Sequence, residues 1–377
     1  MDERFDVIVI GVGGMGSAAC YHLARRGVRV LGLEQFDIPH NKGSSHGFTR
    51  MIRSAYFEHP DYVPLVRRSI ELWKNLEEES LAKILHMTGG LYLGPEAGEL
   101  VTGSLASAKR HGLSYELFNR RELLSQYPAF RVPDDWVGFY DYQAGFLLPE
   151  LAISAHVDLA MRHGAEIHGN EPVLRWESND AGATVSTTKE TYQADELIFC
   201  GGAWSGKLLA DLGVKLVVTR QVLGWVQPKR RDYFLLGVMP VWATDNSDGT
   251  IYYGFPLTPD NPGLKVALHG PGPVDDPDTI VREPRKEDEE SFRPVLRSIL
   301  PDADGPLISM RICMYTNSPD SHFIVDRHPG HPAVTVACGF SGHGFKFASV
   351  IGEALADLAT KGTSELPIGF LGLKRFA

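Results

Sequence analysis

The stretch Val7-Ile8-Val9-Ile10-Gly11-Val12-Gly13-Gly14-Met15-Gly16, with Glu34 closing the run Val28-Arg29-Val30-Leu31-Gly32-Leu33, decides the fold. The apolar run Val7 to Ile10 reads as a short buried strand, Met15 to Arg26 suit a helix, and Val28 to Leu33 returns to strand. Gly27 is placed to end that helix. In the G-x-G-x-x-G pattern Gly11 permits the tight turn, Gly13 lets backbone approach a pyrophosphate, and Gly16 lets the helix pack closely on the strand. The helix N-terminus then faces the phosphates. Glu34 stands 18 residues after Gly16, at the end of the next strand. Its carboxylate would accept hydrogen bonds from the adenosine ribose, and its charge argues against a 2′-phosphate. The loop therefore predicts a dinucleotide and leaves the choice between FAD and NAD open.

Further along, helical patterning resumes at Tyr62 to Glu79, and Gly89 to Leu93 read as a turn and a strand. A hairpin-like run from Val185 leads into Glu196 to Cys200, an apolar strand that ends on Gly201-Gly202. Pro259 to Pro277, rich in Pro, Gly and Asp, reads as surface loop, and the charged Arg282 to Ser291 as a solvated segment. Ala333 to Ala337 is a strand, Gly339 to Gly344 a glycine-rich loop, and Phe347 to Lys361 a helix. Strand-glycine-helix units at both ends and in the middle imply a nucleotide domain built from discontinuous segments. The expected architecture is α/β with two domains. A Rossmann-like dinucleotide domain spans 1–84, 145–213 and 318–377, and a substrate domain with a mixed antiparallel sheet spans 85–144 and 214–317.

The chain has 377 residues, 43% of them hydrophobic, enough for two cores. A net charge of −10 without a basic run gives nucleic acid no footprint. No basic-then-apolar leader or apolar stretch of spanning length is present, so a soluble, cytoplasmic protein without membrane contact is expected. Cys20, Cys200, Cys313 and Cys338 lack the short paired spacing of zinc sites or redox dithiols. Each reads as a buried free thiol, and no metal is expected.

The segment Gly43-Ser44-Ser45-His46-Gly47-Phe48-Thr49-Arg50-Met51-Ile52-Arg53-Ser54-Ala55-Tyr56 puts two arginines three residues apart beside a histidine. A helical turn would bring Arg50 and Arg53 to one side. Guanidinium forks suit a carboxylate, and Arg53 is a candidate clamp; surface salt bridges account for the pattern equally well.

That segment, together with Cys313-Met314-Tyr315-Thr316 and Gly339-Phe340-Ser341-Gly342-His343-Gly344-Phe345-Lys346, resembles the family of monomeric sarcosine oxidase and N-methyltryptophan oxidase. Further matching pieces are Ile251 to Pro256, Gly263-Leu264-Lys265, His269 and Phe323 to Asp326, so the resemblance runs nearly end to end. It implies an oxidase of secondary amino acids. FAD takes a hydride equivalent from the N–C bond, the imine hydrolyses, and oxygen reoxidises the flavin to give hydrogen peroxide. For sarcosine the products would be glycine and formaldehyde. It also implies a small secondary amino acid and O2 as partners, and a monomeric enzyme.

The resemblance assigns residues as well. Cys313 would carry the flavin through a thioether. Arg53 and Lys346 would bind the substrate carboxylate, with Tyr253, Tyr315 and His269 lining the cavity. Several cations nearby would disfavour the ammonium form of the amine, so no dedicated base is needed. Lys265 would sit over the flavin and stabilise negative charge on oxygen as it is reduced. His46, Thr49 and Arg50 would lie near the ring or its phosphate linkage, and Gly342, Gly344 and Lys346 would bring backbone N–H groups and a helix start to it. Trp242 to Asp248 and Leu257 to Pro262 depart from the family pattern, as does Phe48, where relatives commonly carry an acidic residue. Substrate size is accordingly left open between sarcosine and bulkier or cyclic amines such as N-methyltryptophan and pipecolate. An acceptor other than oxygen also stays open.

Overall fold

The computed structural model describes residues 4–179, 181–246, 248–259, 261–270 and 272–376. Ser247, Asp260 and Pro271, which fall in the stretches singled out above, lie outside the described residues.

Strand β1 (Arg4–Ile10) runs through Gly11 into helix α1 (Gly14–Arg25), which returns to β2 (Val30–Leu33). β1 pairs in parallel with β2, Ile8 opposite Leu31, and on its other side with Thr191–Phe199, Ile8 opposite Leu197. Thr191–Phe199 pairs in turn with His331–Cys338, and β2 with Glu166–His168, both in parallel. Three distant stretches of chain thus build one parallel core, extended to eight strands by antiparallel neighbours. Both faces are covered, which is why the strand sequences are continuous apolar runs instead of alternating ones. On one face lie α1 and the helices Tyr62–Ser80, Pro149–Arg162 and Ala348–Lys361. The last of these crosses α1 so closely that a Cβ on Gly352 would come within 2.5 Å of the Ala18 methyl.

A second eight-stranded sheet has the order Leu307–Asn317, Val217–Val226, Leu264–His269, Ile251–Gly254, Val241–Asp245, Gly90–Pro95, Trp136–Asp141, Tyr115–Phe118. Every step is antiparallel except Val241–Asp245 beside Gly90–Pro95, so the sheet is mixed. A small third sheet pairs Gly145–Leu147 with Arg50–Ile52 and with Leu85–Met87.

Two local expectations are corrected. Arg50–Ile52 is a strand and not a helical turn, because its backbone bonds go to Gly145–Leu147, nearly a hundred positions away and invisible to local pattern. The stretch Pro259 to Pro277 is not all loop: Leu264–His269 is an interior strand of the second sheet, with Leu264 to Ala267 buried. The Pro, Gly and Asp residues around it dominate the composition and hide its six residues.

Candidate active site

A cavity of about 410 Å³ connects the glycine loop with the second sheet. Gly11 has φ +90°, and a Cβ there would sit 2.5 Å from the Cys200 carbonyl oxygen. A Cβ on Gly16 would lie 1.8 Å from the Gly11 oxygen, so helix and strand meet only because that side chain is missing. Gly16→Ala is expected to cost about 1–3 kcal/mol by overpacking, read as a lowered Tm. A Cβ on Gly13 would meet nothing within 4 Å, leaving backbone open to the cavity. No side chain caps the start of α1, so its first N–H groups are available to an anion. Glu34 is buried on the wall, where Oε2 accepts from Val12 N–H (3.0 Å) and Oε1 from Phe36 N–H (3.1 Å). These bonds fix the carboxylate and leave further lone pairs for hydroxyl donors.

Beyond the glycine loop, Arg50 donates to the carbonyls of Thr49 (2.9 Å) and Ser44 (2.8 Å), with Nη2 3.6 Å from Cys313 Sγ. Cys20, Cys200 and Cys338 are free and buried, and burial pushes their thiols up, to about 12 for Cys20 and Cys338 and well above the usual value for Cys200. They stay protonated. Cys313 alone has a guanidinium hydrogen on its sulfur.

Arg53 ion-pairs with Glu58, and its guanidinium lies 4.1 Å from the Tyr56 ring centroid and 4.5 Å from that of Phe57. Its Nη1 has no hydrogen-bond partner. Lys346 is buried and donates to the His343 carbonyl at 2.7 Å; burial, then the Arg53 charge, holds its ammonium well below the usual lysine range. Tyr253, His269 and Tyr315 share the same wall, His269 Nδ1 lying 3.3 Å from the Tyr315 hydroxyl. Burial brings His269 down to about 4, so it is neutral at pH 7, and pushes the Tyr253 and Tyr315 phenols up, so both remain donors. Gly342 and Gly344 complete this part of the wall.

For Glu58, burial raises the carboxyl, but Arg53 and then His343 override it and hold it near 2, against 4.5 for an unperturbed glutamate. A depressed carboxyl contributes stability that is present above its unfolded value and lost as pH falls through the folded one. Glu58→Gln should therefore melt below wild type above pH 4.5, with the gap closing toward pH 2 in a Tm series.

Four expected residues do not reach the cavity wall: Gly16, His46, Thr49 and Lys265. Lys265 is fully buried, one layer behind, donating to the Gly47 (2.8 Å) and Thr49 (2.7 Å) carbonyls and to Thr49 Oγ1 (3.3 Å). Three acceptors match the three N–H bonds of an ammonium. Burial and Arg50 nonetheless drive its pKa well below the usual range. His46 is buried with neither ring nitrogen bonded, and borders a neighbouring cavity of about 370 Å³ with Glu150 and Arg311. Burial and then Arg50 and Lys265 hold its imidazole neutral.

The sequence model of a family described as FAD dependent oxidoreductase matches residues 6–358. The chain belongs to that family. Among curated relatives, this oxidoreductase is 44% identical to a Streptomyces avermitilis protein named monomeric sarcosine oxidase, over 100% of this chain and 99% of the relative. It is 37% identical to the N-methyl-L-tryptophan oxidase of Escherichia coli, over 99% of this chain and 100% of the relative. Among solved structures, a variant of NikD, an amino acid oxidase of nikkomycin biosynthesis, superposes with a TM-score of 0.85 at 24% identity, covering 98% of this chain and 97% of the other. Glycine oxidase from Geobacillus kaustophilus follows at 0.81 and 21%, with 99% of each chain covered. At such identities these structures speak to the fold alone, and the fold agrees with the two sheets described above.

FAD fits what this oxidoreductase presents. The open backbone at Gly13, the uncapped start of α1 and the fixed Glu34 carboxylate suit the adenosine and pyrophosphate, and the rest of the same cavity accommodates a ring system. Two residues escaped the sequence reading. Glu58, the partner of Arg53, carries no local signal. Glu150 accepts from Gly47 N–H (2.6 Å) and Phe48 N–H (3.2 Å) and so holds the turn that offers its carbonyls to Lys265. That turn puts Phe48 at φ +67°, a costly conformation for a bulky residue and the reason it needs an anchor. Only the position of Glu150 just after Pro149, in the first turn of a helix, could be read locally. Among the described residues no helix is long and apolar enough to cross a membrane.

Proposed function

We propose that this oxidoreductase oxidises small N-methyl amino acids with oxygen as acceptor, turning sarcosine, O2 and water into glycine, formaldehyde and hydrogen peroxide. The observation that carries this reading is the cationic pair Arg53 and Lys346 on one cavity wall with Tyr253, Tyr315 and His269, in the same cavity as the glycine loop. The kinship with a relative named monomeric sarcosine oxidase supports it. When bound, FAD supplies a two-electron acceptor for the N–C bond and passes those electrons to oxygen.

Arg53 and Lys346 bind the substrate carboxylate, and two cations on one carboxylate fix how the amine presents its N–C bond. The same cations disfavour the ammonium form, so the amine sheds its proton before reacting. His269, neutral at working pH, and the phenols of Tyr253 and Tyr315 close the cavity and exclude water. Glu34, Gly11, Gly13 and Gly16 serve the adenosine and pyrophosphate. Thr49, His46 and Arg50, with Gly342, Gly344 and the Lys346 backbone, serve the ring end. Cys313 tethers the cofactor through a thioether, and Lys265 assists oxygen. The domain division at 85–144 and 214–317 belongs to this proposal, as do a monomeric state and a cytoplasmic location.

A second reading, a bulkier substrate such as N-methyltryptophan or pipecolate, is favoured by the small Ala243 on the cavity wall and by the Escherichia coli relative. Turnover of sarcosine, N-methyltryptophan, pipecolate and proline with peroxide detection separates the two, and no turnover of any secondary amine sinks both. Arg53→Lys keeps the charge and loses the fork, and should lower kcat/KM by about 10- to 100-fold, mostly through KM.

A further inference from the structure

At the edge of the nucleotide sheet, away from the substrate cavity, Ile324–His328 turns through Gly330 into His331–Cys338. His328 and His331 face each other across this hairpin, with ring centroids 4.8 Å apart. Asp211 reaches them from the segment after the helix Ser205–Leu208, where the chain leaves the nucleotide sheet for the second sheet. Its Oδ2 lies 3.0 Å from His331 Nε2 and its Oδ1 3.3 Å from His328 Nε2. One ligand atom from each residue can be chosen so that all lie within 4.8 Å of one another. His328 is only 3% exposed, yet its Nε2 is outside hydrogen-bond geometry with the carboxylate it faces and has no other partner. A buried ring nitrogen left unpaired is costly, and natural structures rarely keep one without a reason.

We propose that Asp211, His328 and His331 form a site for one borderline divalent transition cation, with Zn2+ as the representative ion. Two imidazoles and one carboxylate are the donor set that Zn2+ takes with three protein ligands and one water, and that Ca2+ or Mg2+ does not favour. Tetrahedral Zn2+ with bonds of about 2.0 Å separates its ligand atoms by about 3.3 Å. The 3.0 Å between Asp211 Oδ2 and His331 Nε2 is of that size; His328 Nε2 lies 3.3 Å from the other carboxylate oxygen, Oδ1, and one atom from each of the three residues falls within 4.8 Å of the rest. The rings are supported from behind. Ser178 Oγ lies 2.8 Å from His331 Nδ1, and the Trp176 ring packs edge-on against both histidines, at 4.9 and 6.3 Å. Gly330 N–H donates to His328 Nδ1 at 3.1 Å, so without a cation the proton of the neutral ring sits on Nε2. Binding moves that proton to Nδ1 and releases the Gly330 N–H, a small adjustment at a glycine turn. The ion would pin the hairpin end of the nucleotide sheet to the segment that crosses to the second sheet.

The test uses full-length, tag-free flavoprotein after chelator dialysis. Zn2+ is titrated calorimetrically into wild type, His331→Ala and Asp211→Asn, and Tm and Trp fluorescence are followed in parallel. Wild type is expected to take up one more equivalent of Zn2+ than either variant, or to bind it more than about tenfold tighter. Zn2+ should raise Tm and alter Trp fluorescence in wild type only, while oxidase activity without metal is the same in all three. Equal uptake with equal affinity in wild type and both variants, or no uptake by wild type, overturns the site and leaves an Asp211-His331 hydrogen bond with the His328 ring beside it. Because neither variant touches the substrate cavity, this outcome is independent of the proposed reaction.

Discussion

Acid precipitation of Cys313→Ala is expected to leave a white pellet under a yellow supernatant, whereas the wild-type pellet stays yellow. A thioether requires the thiolate, and what separates Cys313 from the other three cysteines is its setting. Burial drives Cys20, Cys200 and Cys338 up and keeps them protonated. At Cys313 the Arg50 guanidinium lies 3.6 Å from the sulfur, on the wall of the cavity that suits FAD. Loss of attachment should be complete, since no second cysteine shares that environment. The fold should survive, because Cys313 is one position on a long strand paired with Val217–Val226, and shortening it to alanine removes a single buried atom. Cys200→Ala, at the glycine-loop end of the cavity, should leave attachment intact. A yellow pellet from Cys313→Ala would remove the assigned anchor.

For Lys265→Met, flavin reoxidation by air is expected to slow on the order of 10³-fold, while anaerobic reduction by the amine changes only a few-fold. The size follows from removing a preorganised charge from a water-excluded site, where one donor is worth about 10² to 10³ in rate. Methionine nearly keeps the length of the side chain and fills the space beside Phe255 and Trp225, but without the ammonium that lies over their rings. The charge, and the hydrogen bonds to the Gly47 and Thr49 carbonyls, are lost. Stopped-flow spectroscopy of the two half-reactions reads the result directly. Unchanged reoxidation would take oxygen activation away from Lys265, and equal slowing of both halves would assign it to the shape of the site. A wild-type enzyme reoxidised faster by a quinone or dye than by air would indicate a dehydrogenase.

Glu58 and Glu150 show where residue-level reading stops. From its own segment Arg53 is a candidate clamp or a surface salt bridge, and the family resemblance favours the clamp; its charge partner Glu58 sits in an unremarkable stretch. Glu150 acts across 103 positions to hold the Gly47-Phe48 turn, and no local pattern encodes that distance. The strand Leu264–His269 was lost among prolines and glycines for the same reason: its place is decided by pairing with Val217–Val226 and Ile251–Gly254, not by its own composition.

By itself the sequence determined the dinucleotide loop and its acidic partner. Those depend on rules that act within about thirty residues: a glycine where φ must be positive, a glycine where a helix touches a strand, a carboxylate at the next strand end. The tertiary structure alone decided that Arg50 lies against Cys313, that Arg53 is paired with Glu58, and that Lys265 stands one layer behind the cavity wall with three oxygens around its ammonium. Those are contacts between chain segments many tens of residues apart, or side-chain orientations set by packing. Their energies depend on burial and on distances of a few ångströms, which exist only once the two sheets have formed and closed on one another.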